Sequence, residues 1–300
     1  MDFTTSIFGD FAKFRYGKMP KKSSVKENGK YPIYSGYRYV GYYDEYNIEA
    51  NQLIIVARGV GGTGDVKLTK EKCYLTNLSI SAEMDASIAL PEYLYYYFSI
   101  RNLRYLDSGS AQSQITISDL ARVEIPLPNI EIQKKIVHCL IVLDCKISAN
   151  EAINDNLYEM VNAYYTSLFK DVECEMTTIG NYAERIYSGG TPTTSNAAYW
   201  GGTFGWFSSG ETRNRFVIST EKSITQTGID NSSTKLASKH DIVMASAGQG
   251  FTRGQTSMLL IDTYVNQSVI VIHADRNILP YLFWNLANRY EELRAISDSS

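Results

Sequence analysis

Cysteine and histidine are scarce in this chain, with four Cys and three His in 300 residues. Cys73, Cys139, Cys145 and Cys174 show no C-x-x-C spacing and the histidines are scattered, which argues against a zinc site. The cysteines read instead as small hydrophobes. No apolar run is long enough to cross a membrane. The opening Met1-Asp2-Phe3-Thr4-Thr5 carries neither a basic nor an apolar segment, so no secretory signal is expected and a cytoplasmic location follows. Excess positive charge is also missing: the formal net charge is −3, unlike a protein that coats nucleic acid indiscriminately. Catalytic signatures are equally absent. There is no Asn/Asp-Pro-Pro-aromatic motif, no glycine-rich cofactor fingerprint after an opening strand and no closely spaced carboxylate-plus-lysine set. His138, His240 and His273 have no Ser or Cys partner at a recognisable spacing. The chain is not expected to be an enzyme by itself.

What is there is said nearly twice. Ile7-Phe8-Gly9-Asp10-Phe11-Ala12 is answered by Thr178-Ile179-Gly180-Asn181-Tyr182-Ala183. Thr76-Asn77-Leu78-Ser79-Ile80 is answered by Val265-Asn266-Gln267-Ser268-Val269, and Leu90-Pro91-Glu92-Tyr93-Leu94 by Leu279-Pro280-Tyr281-Leu282. The offset grows from 171 to 189 along the chain, so the second copy carries an insertion. Repeats this long are too large for solenoid units, and two of them suit a bipartite ligand.

Each copy opens with short alternating segments broken by Gly, Asn and Ser. An apolar strand follows, Leu53-Ile54-Ile55-Val56-Ala57 or Ile242-Val243-Met244-Ala245, and runs into a glycine-rich loop. Those loops, Arg58 to Gly64 and Gly248 to Gly254, lack the Lys-Ser/Thr ending of a phosphate-binding loop, and glycine there permits a turn that presents Arg58 or Arg253. Each copy then has a helix started by proline, Pro91 to Leu106 or Pro280 to Ile296. Mostly β structure with a few helices per copy, an α+β class, is the expectation. The second copy stops at Ser297-Asp298-Ser299-Ser300, aligned with Asp107 to Ser110, without a counterpart of Ala111 to Pro128.

Between the copies lies an amphipathic stretch. Pro126-Leu127-Pro128 closes the first copy, and Asn129 can cap a helix with Glu131 in its first turn. Ile132, Ile136, Leu140, Leu143, Ile147, Asn150, Asn154, Leu157, Val161, Tyr164 and Leu168 then recur at spacings of three and four, a coiled-coil seam. A rod of about 55 Å results at the α-helical rise. One such stripe needs something to bury against, and the expected partner is a helix of another molecule; folding back on its own domains is the alternative.

Local charge departs from the average. Between Lys13 and Arg38 stand eight basic residues against one acid, Glu27. Tyr31, Tyr34, Tyr37, Tyr39, Tyr42, Tyr43 and Tyr46 run through the same region. Cations offset phosphate charge while tyrosines and short polar groups contact sugars and base edges, a mixture that suits a nucleic-acid surface; a solvated tyrosine-rich sheet would look similar. The candidate contacts are Lys18, Lys21, Lys22, Tyr37, Arg38, Arg58, Gln112 and Gln114 in the first copy. In the second they are Thr191, Thr193, Arg213, Arg215, Gln249 and Arg253. Trp200 and Trp206, beside Gly-Gly turns, read as core anchors.

The second copy contains Ser188-Gly189-Gly190-Thr191-Pro192, Tyr199-Trp200-Gly201-Gly202, Trp206 with Ser208-Ser209-Gly210, Ile224-Thr225-Gln226-Thr227-Gly228-Ile229 and Asn266-Gln267-Ser268. The first contains Gly109-Ser110-Ala111-Gln112, Ile117-Ser118-Asp119-Leu120, Ile125-Pro126-Leu127-Pro128 and Glu131-Ile132-Gln133-Lys134-Lys135-Ile136. At these residues, in this order, the sequence resembles the specificity subunit of type I restriction-modification systems. The resemblance implies two target-recognition domains, 1–128 and 176–300, joined by a helical spacer at 129–175. Each domain would read one half of a split double-stranded DNA target, with the spacer as ruler. Modification subunits carrying S-adenosylmethionine and restriction subunits using ATP and Mg would dock on this scaffold; the chain itself would hold no cofactor or metal. A complete member has a second long helix after the second domain, which is not seen here, so a truncated or recombined product that dimerises through its spacer is the alternative. A pair of non-DNA binding modules on a coiled coil is the rival from another class.

Overall fold

The computed structural model describes residues 4–36, 38–59, 62–107, 113–247 and 251–298. The chain forms two units, Met1–Asn154 and Asp155–Ser300.

In the first unit β1 (Thr4–Ile7), α1 (Phe8–Phe11) and β2 (Ala12–Tyr16) lead to the hairpin of β3 (Tyr31–Ser35) and β4 (Arg38–Tyr43). Then come β5 (Leu53–Val56), β6 (Val66–Leu68), β7 (Tyr74–Leu75), β8 (Ser79–Met84), α2 (Pro91–Ile100), α3 (Ile117–Leu120) and β9 (Glu124–Leu127). The strands make a four-stranded sheet in the order β2-β8-β5-β6, a three-stranded sheet β4-β3-β7 and the pair β1-β9. The apolar run of β5 explains the layering. Successive strand side chains point to opposite faces, so Leu53 and Ile55 enter the main core with Phe8, Ile80 and Leu94, while Ile54 joins Ile48, Cys73 and Leu75 in a second. These residues are fully buried, and each Leu, Ile or Phe among them is worth about 1.5–3 kcal/mol. Burial also pushes the Cys73 thiol up to about 12, so it stays protonated as a small hydrophobe.

The segment after α2 completes this core. Ile115, Leu120, Val123, Ile125 and Leu127 are buried in it, and β9 runs antiparallel to β1 with Thr4 opposite Leu127 and Ile7 opposite Glu124. A capping box starts α3: the Thr116 hydroxyl accepts from the Asp119 N–H while the Asp119 carboxylate accepts from the Thr116 N–H and hydroxyl. Those bonds hold the Asp119 carboxyl below its ordinary value.

α4 (Ile130–Phe169) runs for 40 residues, about 60 Å at the helical rise. It contributes to both units. In the first, Gln133 and Val137 are buried, and the Gln133 side chain accepts from the Leu90 N–H and donates to the Ile88 and Pro128 carbonyls. Tyr96 donates to Asp144.

In the second unit β10 (Ala183–Ser188), β11 (Trp200–Phe207), β12 (Phe216–Val217), β13 (Lys222–Ile224), α5 (Gln226–Asp230), β14 (Lys235–Ala237), β15 (Ile242–Ala245), β16 (Thr256–Leu259), β17 (Thr263–Val265) and β18 (Val269–Ala274) precede α6 (Leu279–Asn288) and α7 (Tyr290–Asp298). The sheets run β10-β18-β15-β16-β12 and β13-β11-β17-β14. The layering repeats, with Ile242 and Ile272 in one core and Val243 and Val271 in the other. Hydrogen bonds also correct the repeat register by one residue. Thr76 donates its N–H to Tyr34 and accepts from Ser79, as Asn266 does with Phe207 and Val269, so Thr76 rather than Asn77 matches Asn266. Tyr34 thus answers Phe207, and Leu53 answers Ile242 by its place in the sheet. The insertion therefore lies between Phe207 and Ile242, where it includes β12, the fifth strand of the larger sheet.

The last part of α4 packs on this unit through Tyr158, Asn162, Tyr165 and Phe169. Tyr158 meets Trp284, Tyr165 and Phe169 meet Tyr281, and Asn162 accepts from Asn288. Tyr158 lies one position beyond Leu157, so the packed face sits beside the predicted seam rather than on it. Of the seam residues, Ile132, Ile136 and Leu140 are half-buried, whereas Leu143, Ile147, Asn150, Asn154, Leu157, Val161, Tyr164 and Leu168 are exposed.

Candidate DNA interface

At one end of the first unit three chain segments converge. The β3–β4 hairpin turns at Gly36, whose φ of +59° is a left-handed conformation natural to glycine. A Cβ there would lie 3.5 Å from the Arg58 carbonyl oxygen, so the turn sits against the start of the Arg58 loop. Arg58 in turn bridges Gln114, and the Ile115 N–H donates to the Ala57 carbonyl. Gln114 is steadied by its N–H bond to Asp107, which also accepts from Ser113. The Arg58 guanidinium lies over the Tyr16 ring at 5.9 Å and has no ion-pair partner among the described residues. Its Nε is buried without an acceptor there, a costly state for a donor. Arg58, Gln114 and the base of the Arg38 strand are therefore brought together. Lys18 follows Tyr16 closely and is fixed through its N–H to Leu75. Lys21 and Lys22 are exposed at a short 3-10 turn.

The tyrosines form the face beside this cluster. Tyr39 packs edge-on to Tyr42, and Tyr43 packs against Tyr74. Partial desolvation first, then the bond to Tyr42, pushes the Tyr39 phenol up to about 12, so it remains a hydroxyl donor. Not every cation of the region is available. Lys26 is paired with Asp44, and Lys72 with Glu49 and Tyr46.

In the second unit the candidates separate. Thr191 donates to Gln267, and the Thr193 carbonyl accepts from the Trp200 indole. Trp206 is buried and donates to the Gly190 carbonyl, edge-on to a half-buried Trp200. The Trp residues thus shape the turn under Thr191. Arg213 pairs with Glu221 and bonds the Gly210 carbonyl, while Arg215 pairs with Asp155 and stacks on Tyr158 at 3.9 Å. Both arginines stand on the insertion, and Arg215 anchors α4. Arg253 is half-buried in the loop closed by Gly254. Tyr37, Gln112 and Gln249 lie outside the described residues.

Three polar groups missed in the sequence hold these surfaces in shape. Gln133 is one, looking in the sequence like any glutamine of a helix. Buried Glu211 is another: it accepts from the Ser208 N–H and hydroxyl and from the Glu221 N–H, and only the Ser-x-x-Glu spacing hinted at it. Buried Asp241 bonds His273 at 2.6 Å and accepts from the Ser238 N–H, so both carboxylate oxygens are spent inside the fold. No group of three or more metal-ligating side chains occurs among the described residues, and no helix there is long and apolar enough to cross a membrane.

The sequence profile of the type I restriction modification DNA specificity domain matches residues 1–159. The chain belongs to that family. It is 24% identical over 220 residues to the type I restriction enzyme EcoR124I/EcoR124II specificity subunit of Escherichia coli, covering 70% of this chain and 54% of that one. Over 170 residues it is 29% identical to the putative type I specificity subunit S.MpnORF638P of Mycoplasma pneumoniae, covering 52% of this chain and 42% of the relative. The chain thus spans about half the length of the curated relatives it matches. Among solved structures, the S subunit of a type I restriction-modification system from M. genitalium superposes with a TM-score of 0.66 at 19% identity, covering 100% of this chain and 80% of that one. The specificity-family fold, two sheet-rich units with a long helix, is the one expected from the sequence.

Proposed function

We propose that this chain is the non-catalytic specificity subunit of a type I restriction-modification complex, reading one half of a split double-stranded DNA target with each unit. The observation that carries the reading is the Arg58–Gln114 junction: a cation stacked on Tyr16 and a glutamine meet where two loops and a hairpin end together. Arg and Gln are the side chains suited to guanine and adenine edges, and flanking lysines suit phosphates. Arg38, Tyr39, Lys18, Lys21 and Lys22 extend this surface. In the second unit Arg253, Thr191 and Thr193 remain the candidate contacts, though separate from one another, whereas Arg213 and Arg215 are drawn into ion pairs with Glu221 and Asp155. In this reading α4 acts as the ruler between half-sites and the surface on which modification subunits dock. Those subunits would bring S-adenosylmethionine; restriction subunits would bring ATP and Mg. The site of action is then the cytoplasm.

Mapping methylated adenines in the host genome with and without the gene tests this. Loss of a bipartite motif with the gene is expected; unchanged methylation refutes the role. In a binding assay, affinity for duplex DNA falls steeply with salt if lysines and arginines displace counterions.

A second element of the reading concerns α4. Leu143, Ile147, Leu157, Val161, Tyr164 and Leu168 are each 45% exposed or more, and an apolar stripe at heptad spacing is stabilised by a second helix. The partner we favour is the same helix of another copy, with Asn150 and Asn154 fixing register. Light scattering on the intact protein, repeated for Leu157→Lys, decides: a dimer that the substitution dissociates is expected, and a wild-type monomer at micromolar concentration refutes the pairing.

A further inference from the structure

In the second unit the sequence's own candidates stand apart, yet a cationic cluster that the sequence did not mark gathers beside one of them. β10 and β14 are edge strands of the two sheets of this unit. A cavity of about 650 Å³ lies against both, lined by Glu184, Arg185, Ile186, Tyr187, Lys235 and Leu236. Tyr187 is its pivot. The ring packs on the core of Phe207, Val243 and Val271 while the hydroxyl donates to the Leu236 carbonyl, so the phenol ties one edge strand to the other. Two cations share that ring: Arg185 lies over it at 5.9 Å and Lys235 at 5.8 Å. Both are exposed, and neither has an ion-pair partner among the described residues. The neighbouring carboxylates are engaged elsewhere. Asp241 spends its oxygens on His273 and Ser238, and Glu184, the one acid among these lining residues, stands 3.7 Å from His273 Nε2.

Main-chain bonds fix the cluster to the Thr191 turn. The Val265 carbonyl accepts from both the Gly190 N–H and the Thr234 hydroxyl, the neighbours of Thr191 and Lys235. Thr191 in turn donates to Gln267. In the first unit the matching edge strand, β2, also keeps Lys13 and Arg15 in solvent, although residues 114–127 pack on that unit.

We propose that Arg185 and Lys235, held on Tyr187, form a phosphate station of the second unit: they grip the sugar–phosphate backbone of the duplex that the Thr191 turn approaches, and so set the register of that half-site. This rests on the DNA reading above and adds a contact of another kind to it. Two positive charges without an internal acid are offset by backbone phosphates, with release of counterions. The shared ring restrains both stems, so less freedom is lost on binding. Exposed Ile186 and Leu236 offer apolar surface to the sugars between the phosphates. Such contacts position the duplex and carry no base preference of their own.

The test is an anisotropy titration of the full chain with a labelled duplex over a range of salt, for wild type, Arg185→Gln, Lys235→Gln and the double variant. Each single change should lower the slope of log affinity against log salt by about one, and the pair by about two. Affinity at about 0.15 M salt should fall by about fivefold per charge, equally on unrelated duplexes. Arg185→Lys and Lys235→Arg should restore slope and affinity, and no variant should move the melting temperature, since both side chains are exposed. A double variant with the wild-type slope overturns the proposal, as does a loss confined to one base of the target. Inorganic phosphate should compete no better than chloride at equal ionic strength; selective displacement by phosphate would make this a free-anion site and overturn the duplex assignment. A wild-type chain that binds no duplex at any salt defeats the DNA reading and this station together, whereas an unchanged slope on a wild type that binds defeats the station alone.

Discussion

The two units share a frame and differ in what hangs on it. In both, a buried strand divides its side chains between two cores, Leu53 and Ile55 against Ile54, or Ile242 against Val243. The charge carried at the loops follows no such rule. The Arg58 guanidinium lies over the Tyr16 ring and has no ion-pair partner among the described residues, whereas Arg213 and Arg215 are tied to Glu221 and Asp155. Burial is dictated by the frame, since an apolar side chain has one place to go. Charge is dictated by the loop, since exposed ion pairs are worth little and are freely made or lost.

The equivalence of the frames is tested most severely at a pair of matched glycines. A Cβ on Gly17 would stand 2.2 Å from the Leu75 carbonyl oxygen, and one on Gly189 1.9 Å from that of Val265. Gly17→Ala and Gly189→Ala should each destabilise by about 3 kcal/mol or more, read as lower urea midpoints. A silent change at either would break the correspondence.

Next in size is the anchoring of α4. Gln133→Leu leaves the Leu90 N–H and two carbonyls unsatisfied, an expected loss of about 2–3 kcal/mol from the first unit. Tyr158→Leu in the second removes ring contacts only, about 1 kcal/mol. Equal losses in chemical denaturation would erase the distinction between a hydrogen-bonded and a stacked attachment.

The charge contrast is read in DNA binding. Arg58→Ala should weaken the specific complex by about 1–3 kcal/mol and relax preference at one base, while Arg215→Ala should leave affinity and salt slope alone. The reverse result in an anisotropy titration would exchange their roles.

Smallest is the effect of acid on the Thr116–Asp119 capping box, worth about 1 kcal/mol. The Asp119 carboxyl is held below its ordinary value by the Thr116 hydroxyl and N–H. Its contribution is therefore complete above the unfolded-state value and is lost as pH falls through the lower folded-state one. Asp119→Asn should lower stability at pH 7 and narrow its gap to wild type only below about pH 4, followed by thermal melts across that range.

Much of the frame was legible. The apolar runs of β5 and β15, the prolines that start α2 and the glycines that end the loops carry local signals strong enough to read, and the heptad stripe announced α4 at nearly its full length. Its docking face was not legible, because Tyr158, Asn162, Tyr165 and Phe169 mix polar and aromatic residues one step from a cleaner apolar stripe. The repeat register slipped at Asn77 because matching letters outweighed a hydrogen-bond pattern invisible in sequence. At the candidate interface, residue type pointed to Arg58 and Gln114, but nothing in the sequence joined them. For Arg215 the acid that claims it lies 60 positions away.

Gly64 and Gly254 deserve a last comparison. Both adopt left-handed φ, +88° and +86°, and each N–H closes back on the strand that launched its loop, at Val56 and Ala245. Everything between launch and return is therefore bracketed by a clasp that does not depend on the bracketed letters. A substitution inside the clasp can therefore change what the loop presents to solvent while the bond that seals it stays in place.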